Sequence, residues 1–278
     1  MPRSGSLLPQ GLIEDFFLHV WTIANQKGGV GKTTSTITLG GICADQGARV
    51  LLLDMDPHGS LSSYLGHDPD VAQKSCFTLF QRRQELSLAL VHECIFPTNF
   101  DNLSVIPSSM AVATLERQGI GQDGMGLVIS RALALVKDEY DVVLIDCPPL
   151  LGVLMINALA ACQHLIVPVQ TEFLALKGLE RMVNTLGMMT RSLKKELPYV
   201  VLPTMFDQRT QASVSCLRLL RNTYSDRIWP GKIPIDTKFR DASKAGIPPS
   251  LYASDSRGVE AYRSLLKWLR VQIASGAS

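Results

Sequence analysis

Short runs of consecutive apolar residues recur along the chain, separated by segments long enough for helices. Runs at residues 19–26, 49–54, 103–107, 141–146, 164–169 and 199–205 predict strands. The intervening stretches 33–46, 126–137, 153–161 and 177–192 have the length and small-residue or amphipathic character of helices. Val50-Leu51-Leu52-Leu53 and Val142-Val143-Leu144-Ile145 are apolar without alternation. That continuity is expected of strands buried on both faces by helices in a parallel sheet. The alternation of strand and helix therefore predicts one doubly wound α/β domain, with a mostly parallel sheet and helices on both faces. No internal repeat or low-complexity linker divides it.

Composition narrows this picture only slightly. The 278 residues are 46% hydrophobic and 19% charged, as in ordinary globular proteins. No apolar run reaches the ~18 residues needed to cross a bilayer. The six cysteines, at 43, 76, 94, 147, 162 and 216, form no CxxC pair and fit neither a zinc site nor a disulfide framework. Reduced, buried cysteines in a cytoplasmic protein are expected. Glu14 and Asp15 interrupt the first apolar stretch, so residues 1–18 read as a poorly ordered tail rather than a signal peptide.

Charge is distributed unevenly. Residues 1–171 carry 10 Lys+Arg against 16 Asp+Glu, and residues 172–278 carry 17 against 9, for balances of −6 and +8. A basic C-terminal part can attract a polyanion, although a solvated face carries the same count. Arg209, Arg218, Arg221, Lys238, Arg240 and Lys244 are the candidate phosphate contacts.

Chemistry enters with Lys27-Gly28-Gly29-Val30-Gly31-Lys32-Thr33-Thr34, between the first strand and the first helix. Glycine-rich backbone there lets N–H groups point inward at phosphate oxygens, and the positive helix end adds to the pocket. Lys32 is expected to neutralise the β- and γ-phosphates of ATP, and the Thr33 hydroxyl to ligate Mg²⁺. The ordinary loop needs glycine where Gln26 stands, and a second lysine, Lys27, opens the loop instead. Such a cation can reach a nucleotide held by a second subunit.

Two carboxylate segments follow. Asp54 and Asp56, two apart at a strand end, are expected to share a face beside the loop. The pair can orient an attacking water and bond to the magnesium shell, Asp54 also serving as a metal residue. Asp146 closes an apolar strand before Cys147-Pro148-Pro149, as a carboxylate taking Mg²⁺ through water does. His58 reads as a polar loop residue, since a lone histidine is more often structural. Cys147 reads as a small core residue.

The loop KGGVGKTT resembles the deviant Walker A of the ParA/MinD family, and the resemblance runs from about residue 23 to 267. It implies a P-loop NTPase of the SIMIBI type over 19–278 as a single ParA-like ATPase domain. It also implies an ATP-sandwiched homodimer in which Lys27 reaches the partner's phosphates. Asp56 is then the residue that orients the water, with Asp54 its helper. Thr204-Met205-Phe206-Asp207-Gln208-Arg209-Thr210 and Ile233-Pro234-Ile235-Asp236 resemble family segments, which implies an adenine pocket drawing on Met205, Pro234 and Asp236. The chain is most similar to ParA/Soj-like partition ATPases. Asp56-Pro57-His58-Gly59-Ser60 and Lys238-Phe239-Arg240-Asp241-Ala242 also resemble ParA-like ATPases that position chemotaxis arrays or flagellar machinery.

The resemblance implies nonspecific DNA binding and a ParB-like or adaptor protein that stimulates the ATPase, in a nucleoid-associated or polar cytoplasmic protein. Two alternatives accompany it. One is a metabolic ligase of the same superfamily, such as a dethiobiotin or cobyrinate amidating enzyme. The other is a MinD-like membrane ATPase using the helical stripe Tyr262, Leu265, Leu266, Leu269 and Ile273. A closing helix packed on the domain explains that stripe better, and no membrane association is expected.

Overall fold

The continuous apolar runs become strands because both of their faces are needed. The computed structural model describes residues 18–118, 124–193 and 196–275. Its strands are β1 (His19–Ile23), β2 (Val50–Asp54), β3 (Phe96–Pro97), β4 (Leu103–Ile106), β5 (Val142–Asp146), β6 (His164–Gln170) and β7 (Tyr199–Thr204). They form one seven-stranded sheet in the order β3-β4-β2-β5-β1-β6-β7. All pairings are parallel except β3 with β4.

The first helices are α1 (Lys32–Asp45), α2 (Ser60–Tyr64), α3 (Cys76–Gln81), α4 (Leu88–Cys94), α5 (Ala113–Gln118) and α6 (Val128–Leu135). They are followed by α7 (Val153–Ala161), α8 (Ala175–Leu193), α9 (Gln211–Thr223), α10 (Lys238–Ala245), α11 (Pro249–Tyr252) and α12 (Arg257–Ala274). Successive strand residues feed opposite cores. Leu51, Leu53, Val143 and Ile145 join the cluster covered by α3, α4, α6, α7 and α8. Val50, Leu52, Val142 and Leu144 join the cluster under α1 and α12. This two-sided burial is the doubly wound α/β arrangement that the pattern predicts.

Several boundaries differ from the pattern. The run at 19–26 stops pairing as a strand at Ile23. Asn25 then turns the chain, accepting from Lys27 N at 3.0 Å and donating to Pro168 O at 2.7 Å. β7 ends at Thr204 because Met205 takes a left-handed backbone, φ 52°. The edge strand β3 is only two residues long and carries a proline, too short for any period to show. Helix α9 has buried Ser213, Cys216, Leu217 and Leu220 at helical spacing. Its two serines and flanking arginines hide that stripe in a hydropathy reading.

The C-terminal stripe belongs to the core. Tyr262, Leu265, Leu266 and Leu269 are buried, and Ile273 packs against the same cluster. Each fully buried leucine of this kind contributes ~1.5–3 kcal/mol, so the face is not free to lie on a membrane. The Tyr262 hydroxyl bonds the Ser35 hydroxyl at 2.7 Å, tying α12 to the helix that follows the glycine loop. No described helix is long and apolar enough to cross a membrane. The six cysteines are free and buried, as expected. Of the segment read as a tail, residues 1–17 lie outside the described residues.

Candidate nucleotide site

Strand register assembles the site. β5 lies between β1 and β2, with Asp146 level with Ile23 on one side and Asp54 on the other. The glycine loop leaves β1 at this same carboxyl edge, where open α/β sheets bind ligands. Gly29 (φ 73°) and Gly31 (φ 91°) take left-handed conformations that side chains resist. Nothing lies within 4 Å of where a side chain would begin on Gly28 or Gly29, so the loop's outer rim is open. Val30 is buried, and its carbonyl accepts from the Thr204 hydroxyl at 2.9 Å, which pins the loop to β7.

α1 begins at Lys32 without a side-chain cap, so its first amides are left for an anion. Thr34 sits in that first turn. The buried Lys32 crosses the loop, its Nζ donating to Lys27 O at 3.2 Å. Thr33 Oγ1 donates to Asp146 Oδ2 at 2.6 Å. The other oxygen, Asp146 Oδ1, is buried with no hydrogen-bond partner among the described residues. An orphaned carboxylate oxygen beside a hydroxyl, a lysine and an uncapped helix fits a hydrated divalent cation and a phosphate. Among the described residues no group of three His, Cys, Asp or Glu side chains could hold a metal ion.

Asp54, expected as a metal residue, is held by protein donors on both oxygens. Its carboxylate is fully buried, with Oδ2 accepting from Ser62 N (2.8 Å) and Ser62 Oγ (2.7 Å) and Oδ1 from Asp56 N (3.0 Å). Both oxygens are engaged within the protein. Asp56 does not share its setting, because the strand ends at Asp54 and the chain turns. The Asp56 side chain remains 15% exposed, and His58, 81% exposed, places both N and Nδ1 on its Oδ1. His58 is thus a loop residue that steadies Asp56.

Burial pushes the Asp54 carboxyl up to about 6, opposed by the Ser62 hydrogen bonds. Burial and then the charge of Asp54 raise Asp146 well above the carboxylate range, against Thr33 and Lys32. A carboxyl held above its unfolded value of 3.8 costs the fold stability as soon as the unfolded chain gives up a proton that the folded chain retains. The penalty is absent below the unfolded value, grows as pH rises from there toward the folded value, and is complete above the folded value. Asp146→Asn removes the ionisation and keeps a partner for Thr33. In nucleotide-free and magnesium-free protein it should raise the melting midpoint by a few degrees at pH 7.5 and by clearly less at pH 5. Calorimetry at the two pH values checks this, and an equal shift at both would contradict the charge penalty.

Lys27 is half-exposed and forms an ion pair with Glu172 of its own chain, in the turn before α8. No spacing in the sequence signals that partner. Across the loop, Met205 lies against Gly31, its Cε 3.9 Å from where a side chain there would begin. Next to Met205, the 206–209 and 234–237 segments enclose a cavity of about 510 Å³, lined also by Lys232 and Arg257. Pro234 lines it and bridges to Phe206. The Asp236 carboxylate is committed elsewhere, accepting from Lys238 N at 3.0 Å and Gly258 N at 2.9 Å, where it secures the starts of α10 and α12. Lys232 Nζ sits 4.9 Å above the Phe206 ring.

Of the basic candidates, Arg209 is occupied by a two-pronged pair with Asp207, which holds that carboxyl down to about 2. Arg221 donates to Pro230 O, and Lys238 pairs with Asp241 at 3.7 Å. Arg218, Arg240 and Lys244 are exposed, with no ion pair among the described residues.

The family described as AAA domain matches residues 18–199. Sporulation initiation inhibitor protein Soj of Bacillus subtilis (strain 168) is 37% identical over 246 residues, covering 88% of this chain and 95% of its own. Chromosome partitioning protein ParA of Caulobacter vibrioides (strain NA1000 / CB15N) is 36% identical over 255 residues, covering 90% and 93%. Among solved structures, cobyrinic acid a,c-diamide synthase from Mycobacterium smegmatis with bound ATP analog and magnesium superposes with a TM-score of 0.79. It is 32% identical and covers 93% of this chain and 97% of its own.

Proposed function

The chain belongs to the ParA/MinD family of P-loop partition and positioning ATPases, and on that premise we propose that it is an ATP-hydrolysing dimerisation switch that positions or segregates a cellular cargo. The observation that carries the reading is the loop's pair of lysines. Lys32 is turned inward along the loop, while Lys27 stands at the open rim, paired among the described residues with Glu172. One cation serves the nucleotide of its own chain, and the other is available to a second nucleotide.

In this reading ATP and Mg²⁺ are the ligands. Gly28, Gly29, Val30, Gly31, Lys32 and Thr34 surround the phosphates, and Thr33 and Asp146 hold the cation. When bound, the cation supplies charge neutralisation on the phosphates. Asp56 orients the attacking water, and Asp54 holds the turn that carries it. The base lies by Met205 and Pro234, in the cavity that continues from them; Asp236 contributes by shaping that loop. Cargo remains chromosomal or plasmid DNA, or a chemotaxis or flagellar assembly, with a ParB-like or adaptor protein as stimulator. Arg218, Arg240 and Lys244 support nonspecific DNA binding, which would place the protein on the nucleoid or at a pole.

Sedimentation with ATP, ADP and no nucleotide, repeated with nonspecific DNA at two salt concentrations, tests this. ATP-dependent dimers whose DNA affinity falls steeply with salt are expected. The ligase reading is the alternative, and the 32% identical synthase structure is what supports it. Slow turnover stimulated by DNA or a protein supports the switch, and fast, DNA-independent turnover requiring a small carboxylic acid overturns it. Lys27→Ala should bind ATP, stay monomeric and hydrolyse on the order of 10²–10³ more slowly, the loss expected for one preorganised charge. Normal turnover by an ATP-dependent dimer of that variant would remove the cross-subunit role.

A further inference from the structure

Ser62, in the first turn of α2, is buried and joins three separate parts of the carboxyl edge. Its Oγ donates to Asp54 Oδ2 at 2.7 Å, and its N donates to the same oxygen at 2.8 Å. The same Oγ accepts from Ser108 N at 2.8 Å, in the segment that follows β4. The far oxygen of Asp54 receives Asp56 N at 3.0 Å. Asp56 N is thereby tied to the Asp54 carboxylate, beside the bonds from Met55 N to Asp146 O (3.0 Å) and from Gly59 N to Asp56 O (2.8 Å) that also hold the turn. Asp54 in turn is clamped by Ser62, which is itself anchored on the neighbouring strand's exit.

We propose that Ser62 is a positioning residue for ATP hydrolysis, holding the Asp56 turn in register with the phosphate loop through the buried Asp54 carboxylate. The inference rests on the reading of Asp56 as the water-orienting group. Phosphoryl transfer leaves the protein little to do beyond placement and charge, and a displacement of about 1 Å far from the reacting atoms costs on the order of 10²-fold. Without the Ser62 hydroxyl, Asp54 keeps only one donor on Oδ2, and Ser108 N loses its acceptor in a buried position. The carboxylate is then free to tilt, and the Asp56 turn with it. Among the described residues none of these groups reaches the phosphate loop by a hydrogen bond, so ground-state nucleotide binding is expected to be spared.

Ser62→Ala and Ser62→Cys test this together. Cysteine nearly conserves volume but is a weak donor, so it separates loss of the hydrogen bond from loss of packing. Both variants should lower kcat about 10-fold or more while keeping the Kd for ATP within about twofold, measured below their melting midpoints. Wild-type kcat in either variant, or a fall in ATP affinity matching the fall in kcat, would overturn the inference. Wild-type chain that turns over no ATP, alone or with DNA, would overturn the hydrolase reading and this inference with it. Wild-type turnover with an unaffected Ser62→Ala would overturn this inference alone.

Discussion

Lys32→Ala should lose ATP binding by a factor of about 10²–10³ while the protein stays folded. The lysine is buried at the start of α1, and among the described residues its Nζ has one hydrogen bond, to Lys27 O. Little of the fold depends on it. A unit charge about 4 Å from a phosphate oxygen interacts by ~4 kcal/mol at an effective dielectric near 20, which corresponds to roughly a thousandfold in affinity. A second effect adds to the first. The charge of Lys32 is one of the two influences that pull Asp146 back toward ionisation. Without it, Asp146 holds its proton more tightly and is a poorer partner for a cation. Titration of a fluorescent ATP analogue, with and without magnesium, reads both effects. Unchanged affinity would remove Lys32 from the phosphate site.

The fold was legible in the sequence wherever burial acts on a whole run of residues. β2 and β5 are apolar at every position but the last because helices cover both of their faces. β3 was not legible, since two residues carry no period. The phosphate loop was legible because left-handed backbone at Gly29 and Gly31 demands glycine at fixed spacing, a local requirement. Partnerships across the chain left no such trace. Glu172 lies 145 positions from Lys27, and Ser62 meets Asp54 only because the chain doubles back after β2. The same reason explains why Asp54 reads from spacing as a twin of Asp56. A two-residue interval puts side chains on one face only while the strand lasts, and here it ends at Asp54. Asp236 likewise carries a family-like motif, yet its carboxylate caps backbone amides of α10 and α12.

Asp56→Ala should hydrolyse ATP on the order of 10²–10³ more slowly and accumulate as an ATP-bound dimer. Both hydrogen bonds from His58 fall on Oδ1, and Oδ2 has no partner among the described residues. That oxygen, on a side chain 15% exposed at the strand edge, is the acceptor available to a water. In the proposed role Asp56 acts by orientation, so its loss should remove stabilisation that exists only along the reaction and spare ATP in the ground state. Binding is even expected to tighten, because an anionic side chain facing a polyphosphate raises the energy of the bound state and alanine does not. The contrast with Lys32→Ala is the informative part. One substitution empties the site, and the other fills it and stops turnover, so the two divide the lysine's binding role from the aspartate's hydrolytic one. Single-turnover hydrolysis together with light scattering after gel filtration in ATP measures both outcomes for Asp56→Ala. Wild-type hydrolysis would move the water-orienting role away from Asp56. A monomer that binds ATP normally but does not turn it over would uncouple that role from the dimer.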